Sequence, residues 1–407
     1  QDTEGHVPVI NIYESADLEG TVYAAGYGIW NVYGGSITGD MPFSIKSGEF
    51  NIEDGVFTAD GVYADPAAAN NNGSEDTGAA LSITSNSGYA HQIKVHISGG
   101  TFVSQNGYAV YEGIALKNGT PAAPESYVSE FTISGGTFTG AEDKDAVKIT
   151  EYSGYPANEI ISGGTFADLS WVPYLADEAE IAIGDDVPLP DQNNGNDCIS
   201  IPAGKTLTLD LNGHTVSRTI NSGTQTQCGV ITVNGGDLTI VDTSRAGDGK
   251  IQGIDGSEYA YGAFVNSGSL TLEGGTIEST YAGIYLFGNI TADHSTAINS
   301  VVTINGGRVI GGLYGIHPSG MGAELYINGG EIRTDSDGYA ISGNGSVTDT
   351  VDRGDTFINI SGGTISSASG AALYQPQAGT VIISGGTFEG SEALSIKDGT
   401  WDISGGT

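Results

Sequence analysis

Cysteine, methionine and basic side chains are nearly missing from this 407-residue chain. Its two cysteines, Cys198 and Cys228, are too few for a disulfide scaffold or a zinc site, and a single staple or two free thiols remain open. Thirteen Lys and Arg stand against 49 Asp and Glu, a net charge of −36. Salt screens such charge beyond about 8 Å, but close approach to a polyanion stays unfavourable. Nucleic acid, acidic glycans and anionic lipid are therefore poor partners. No apolar run approaches the roughly 20 residues that span a bilayer, so membrane insertion is not expected. The start has no Met and no basic segment leading into an apolar one, as a signal peptide would require. The chain reads as a monomeric fragment of a longer protein. Glycine is abundant but follows no Gly-X-Y period, which excludes collagen.

What is present is a repeat. The pattern apolar-x-apolar-x-Gly-Gly-x-apolar occurs at Trp30 to Ile37, Val95 to Phe102, Phe131 to Phe138 and Ile160 to Phe166, and at Phe50 to Phe57 with one Gly replaced. It returns at Leu270 to Ile277, Val302 to Val309, Leu325 to Ile332, Ile358 to Ile365 and Val381 to Phe388. Alternation at period two marks half-buried strands, and glycine supplies the positive φ of a sharp corner. Recurring strands and corners at a fixed period describe coils of an all-β parallel β-helix. Two interior columns are predicted. One holds Ile97, Ile133, Ile161, Leu272, Ile304, Ile327, Ile360, Ile383 and Ile403. The other holds Phe102, Phe138, Phe166, Ile277, Val309, Ile332, Ile365 and Phe388.

The pattern breaks after Ile161. Phe166 to Leu175, with Trp171 and Pro173, is read as an apolar plug closing the first stack. Leu207 to Val216 lies in the start of a second stack. The chain is thus divided into residues 1–180, the C-terminal part of a first β-helix with its cap, and 181–407, a second β-helix from its start. Ser44 to Ile52 resembles Ser395 to Ile403. By that alignment the second stack is cut short.

These motifs resemble one family. The start Leu207-Thr208-Leu209-Asp210-Leu211-Asn212-Gly213-His214-Thr215-Val216, the repeated Ile-Ser-Gly-Gly-Thr-Phe corner and the Tyr174-Leu175-Ala176-Asp177 close are similar to right-handed parallel β-helix modules. Such modules build large surface proteins of Gram-positive gut anaerobes. The resemblance implies a right-handed, single-stranded β-helix, two segments end to end as a rod, on the outside of a bacterial cell. It implies an adhesin-like role, with binding of immunoglobulin in the manner of a superantigen as the sharper case.

Candidate contact residues follow from the repeat. Inserts at 112–129, 151–158, 288–300 and 343–355 fall between the second and third strands of their coils and would form one lateral wall. Residues following the inward position of the second strand should face water: Trp30, Tyr111, Tyr285, His317, Ser342 and Tyr374. Aromatic side chains there are candidate ligand contacts, since aromatics dominate interfaces. Tyr127 and Tyr152 in the inserts and Phe287 beside one complete the set. The bland alternative is stacking between neighbouring coils, and Tyr261 with Tyr281 and Tyr314 with Tyr339 are assigned to it.

Catalysis is the rival. Glycoside hydrolysis needs two carboxylates about 5 to 9.5 Å apart, and Asp185-Asp186 and Asp335-Ser336-Asp337 are the obvious pairs. Arg308 and Arg333 are read as equivalent corner positions of consecutive coils, where a surface salt-bridge cluster with Asp335 and Asp337 is expected. The Gly-His-Gly and Arg-Ile-Lys patterns of pectinase-like β-helix enzymes are absent, and His214 reads as part of a turn. No catalytic residue, metal site or cofactor is assigned. Clustered carboxylates would hold Ca²⁺ only weakly. The expected function is non-catalytic binding of a host protein such as immunoglobulin, or of a neutral glycan. A polysaccharide lyase or glycoside hydrolase, and a passive surface spacer, are the alternatives.

Overall fold

The computed structural model describes residues 6–64, 77–86, 89, 91–115, 128–149, 160–192, 199–220, 229–255, 260–290, 297–343 and 355–407. By contact the chain divides into two compact units, Gln1–Asp185 and Asp186–Thr407. Both are all-β, and both are parallel β-helices in which each coil pairs in parallel with the next. Among the described residues the one antiparallel pairing joins Asn289–Ile290 to Ala297–Ile298, at the root of an insert. Among the described residues no helix is long and apolar enough to cross a membrane.

In the second unit three ladders run side by side. The strands before the Gly-Gly corner include Ser300–Ile304, Ala323–Ile327, Thr356–Ile360, Gly379–Ile383 and Thr400–Ile403. Their register places Ile304, Ile327, Ile360, Ile383 and Ile403 in one column. The strands after the corner align Ile251, Ile277, Val309, Ile332, Ile365 and Phe388. The third ladder aligns Ala263, Ile284, Ile316, Ile341, Leu373 and Leu394. Most of these side chains are fully buried, because each coil covers the apolar face of its neighbour. At the last coil Ile396 and Ile403 are each 51% exposed.

The first unit repeats the plan with larger side chains. Val32, Ile52, Ile97, Ile133 and Ile161 share one column. Phe57, Phe102, Phe138 and Phe166 stack with centroid separations of 4.7, 5.2 and 4.8 Å and nearly parallel rings. That spacing is the distance between hydrogen-bonded strands, so the ring pile is a direct product of the coil repeat. Two charged residues, Lys46 and Glu112, are buried in this unit. Lys46 donates to Thr84, and burial pushes its ammonium well below the usual range.

At the corner of Gly329 and Gly330 the two glycines do different jobs. A Cβ on Gly329 would fall on the Asn305 carbonyl of the coil before, so the first glycine permits close approach of backbones. Gly330 has φ +73°, so the second supplies the left-handed turn.

The expected plug does not stop the ladder. Trp171 is fully buried and Val172–Tyr174 forms a short 3₁₀ turn, but Leu175–Ile183 then pairs with Ile161–Phe166. Pro173 sits in the turn, where no ladder hydrogen bond is needed. The segment is a corner with a tryptophan in it.

Candidate functional site

The called contact residues separate into three groups. Tyr127 and Tyr152 lie outside the described residues, as do all of 151–158, most of 112–129 and 343–355, and the middle of 288–300. Trp30 belongs to a different row from the one expected. It sits in Ile29–Gly39, in register with Ile10 and Phe50, and Phe50 pairs with Val95. Its ring packs on Phe50 at 5.7 Å and edge-on to Phe43 at 5.8 Å. Trp30 is thus an inward residue of the strand before the corner, not an outward one of the second strand.

Tyr111, Tyr285, His317 and Tyr374 do occupy the outward position of the second strand. Exposure to water, however, is not what they have. Tyr111 is 4% exposed, Tyr285 5% and His317 8%. Ser342 of the same row is also buried, while Tyr374 and Phe287 are half-buried. The cause is a second row of aromatics, supplied by the corner just before the strand. Tyr108 lies 5.7 Å from Tyr111, Tyr314 lies 4.5 Å from His317, and Tyr261 lies 6.1 Å from Phe264. In each pair the first ring is three residues ahead of the second. The corner aromatic turns back over the strand and roofs its outward side chain. Tyr285 is enclosed by Tyr261 at 4.9 Å, Phe264 at 5.4 Å, His317 at 5.3 Å and Phe287 at 5.9 Å. Burial holds the His317 imidazole down at about 4, so it is neutral at physiological pH.

Of the roofing rings Tyr108 and Tyr314 are half-buried, whereas Tyr261 is itself buried. Tyr281, Tyr314 and Tyr339 are half-buried and succeed one another along the corner, with centroids 5.5 and 6.5 Å apart. Tyr339 passes the line on to Tyr374 at 4.9 Å, and Lys397 caps it with its ammonium 5.0 Å from the Tyr374 ring. The ring contacts assigned to Tyr261 with Tyr281 and Tyr314 with Tyr339 are present. Sequence reasoning missed the roofing role, although the Tyr-x-x-aromatic spacing carried it.

Thr280, next in sequence to Tyr281, and Gly312, two residues before Tyr314, line a groove of about 530 Å³ that has no tyrosine among its described lining residues. Its floor includes Gly253, Ser279, Gly311 and Gly312, at the ends of the strands that follow the Gly-Gly corner. A Cβ on Gly312 would strike the Thr280 carbonyl, so the floor is shaped by backbone. Glu278 and Asp335 line the groove with Thr280, Ser336, Gln252 and Ile254. Each carboxylate has a cation at its side. Lys250 reaches Glu278 at 3.4 Å, and Arg333 Nε reaches Asp335 at 3.2 Å while its Nη1 donates to Glu331. Gln252 also donates to Glu278 at 2.6 Å. No cationic side chain is among the groove's described lining residues. The surface offers hydrogen-bond acceptors, hydroxyls and two aliphatic patches, the chemistry that suits a polyhydroxylated neutral molecule.

The carboxylate pairs singled out for catalysis have structural partners. Asp335 is tied to Arg333. Asp186 accepts from the Thr215 amide at 2.8 Å and faces His214 Nδ1 at 3.7 Å. His214 closes a turn over Asn212 and Gly213, donating its amide to Leu211. Arg308 and Arg333 are not equivalent: Arg308 pairs in register with Glu331, and Arg333 with Ile310 and Ser366. Cys198 and Cys228 lie outside the described residues. Among the described residues no group of three His, Cys, Asp or Glu is placed to hold a metal ion. Compared with known proteins, the chain matches no family model, no curated protein and no solved structure.

Proposed function

We propose that this chain is a non-catalytic, adhesin-like binding module of a bacterial cell surface, and that its ligand is a neutral glycan held along the tyrosine-edged corner of the second unit. The observation that carries the reading is the groove lined by Glu278, Thr280, Gly312 and Asp335, with Tyr281 and Tyr314 one and two residues further along the chain. The half-buried tyrosines that follow the lining segments offer apolar surface against which sugar rings can pack. Glu278 and Asp335 accept hydrogen bonds from sugar hydroxyls, and their charge disfavours an acidic sugar. A parallel β-helix keeps these groups on rigid strands, so binding costs little ordering. The host-protein alternative, with immunoglobulin as its sharper case, would use the lateral inserts together with the aromatic row, of which Tyr111, Tyr285 and His317 are buried.

The test uses cellotetraose, maltotetraose, mannotetraose and chitotetraose, following retention and new reducing ends together. Binding of at least one, without cleavage, and a fall in the amount bound when Thr280→Trp fills the groove, is the expected result. Release of shorter sugars would make the chain an enzyme. An amount bound that Thr280→Trp leaves unchanged would move the site elsewhere.

A further inference from the structure

We infer that the first unit carries a second seat for the same class of ligand, so that one chain binds two; this rests on the glycan reading above. The first unit has a groove of about 440 Å³, lined by Val62, Tyr63, Gln105, Asn106, Asp143 and Lys144 among others. Its place in the coil is the same as that of the second-unit groove. The column after the Gly-Gly corner fixes the frame. Three residues beyond Phe102 and Phe138 stand Gln105 and Ala141, which line the first groove. Three residues beyond Ile251, Ile277 and Ile332 stand Ile254, Thr280 and Asp335, which line the second. Each unit also carries an edge-to-face tyrosine pair a few residues beyond that column, Tyr63 with Tyr108 at 5.1 Å and Tyr281 with Tyr314 at 5.5 Å.

The chemistry repeats with the position. Each groove presents an exposed aliphatic side chain, Val62 or Ile254. Each presents an amide, Gln105 or Gln252, and a pair of carboxylates, Glu142 with Asp143 or Glu278 with Asp335. The first groove also contains Lys144, but its ammonium is bonded to Asp143 at 2.7 Å and lies 6.0 Å from the Tyr63 ring. Its charge is therefore locally matched, as Lys250 and Arg333 match the carboxylates of the second groove. Two cavities of similar size, at one topological position and with one set of functional groups, are expected to take one class of ligand.

Calorimetric titration of the whole chain with the same four tetrasaccharides reads the number of sites. Two equivalents bound per chain is the expected result. Thr280→Trp and Gln105→Trp should each leave one, and the double variant none. Val62→Trp serves as a second block of the first groove should Gln105→Trp fail to fold. One equivalent in the parent chain, abolished by Thr280→Trp and untouched by Gln105→Trp and Val62→Trp, overturns the second seat and leaves the proposed function standing. No binding of any tetrasaccharide to the parent chain overturns both.

Discussion

His317 shows how one roofing contact changes a residue's chemistry. Its ring lies between Tyr285 and Tyr314, and burial keeps it neutral down to about pH 4. Above about 6.5 folded and unfolded chains are both neutral at this residue, and it adds no pH dependence. As pH falls from there to about 4, only the unfolded chain takes up the proton, so stability drops. Below about 4 the folded chain takes it up too, and the loss levels out. The drop is on the order of 3 kcal/mol. Urea midpoints of the parent and of His317→Phe should diverge across this window, with the variant the flatter of the two. A second residue is stabilised in the opposite sense. Burial works against the Asp242 carboxylate, but bonds from Ser244, Gly249 and Gly213 outweigh it and hold its pKa below the ordinary value. Its stabilising contribution is present at neutral pH and is lost as pH falls below the normal carboxylate range. Asp242→Asn should cost about 1 to 3 kcal/mol at neutral pH, measured by denaturant unfolding.

At the scale of a strand or corner, the account predicts position-dependent costs for identical changes. Ile327→Ala removes a side chain enclosed between Ile304 and Ile360 and should cost about 2 to 5 kcal/mol. Ile403→Ala, in the same column but half open to water, should cost much less. The interior columns were legible in the sequence, because an apolar residue two before each Gly-Gly pair forces one face inward wherever it recurs. Trp30 was misplaced for a related reason: the strand before the corner and the second strand both alternate, so Ile29-Trp30 fits either by pattern alone. The row of Tyr111, Tyr285 and His317 was located correctly by alternation. Its burial was not legible, because alternation fixes the face of a side chain and says nothing of what folds over it. The groove was the least legible part. Asp335 had been singled out, but for a different partner, Asp337. Glu278, Thr280, Gly312 and Ser336 are ordinary turn and strand residues until three coils bring them together.

For the molecule as a whole, the acidic excess sets both stability and choice of ligand. With a net charge of −36, self-repulsion should ease as salt is added, and the thermal midpoint should rise between low ionic strength and about 0.15 M. Affinity for a neutral glycan should hardly move over the same range, whereas a cationic ligand would be lost. The claim that matters most is where the ligand sits, and hydrogen exchange of the full chain with and without a bound tetrasaccharide tests it directly. Added protection in the second unit should fall on residues 276–281, 308–314 and 331–339, the corner segments that build the groove and the tyrosine line. Protection concentrated instead on the inserts at 288–300 and 343–355, with those corners unchanged, would contradict the account.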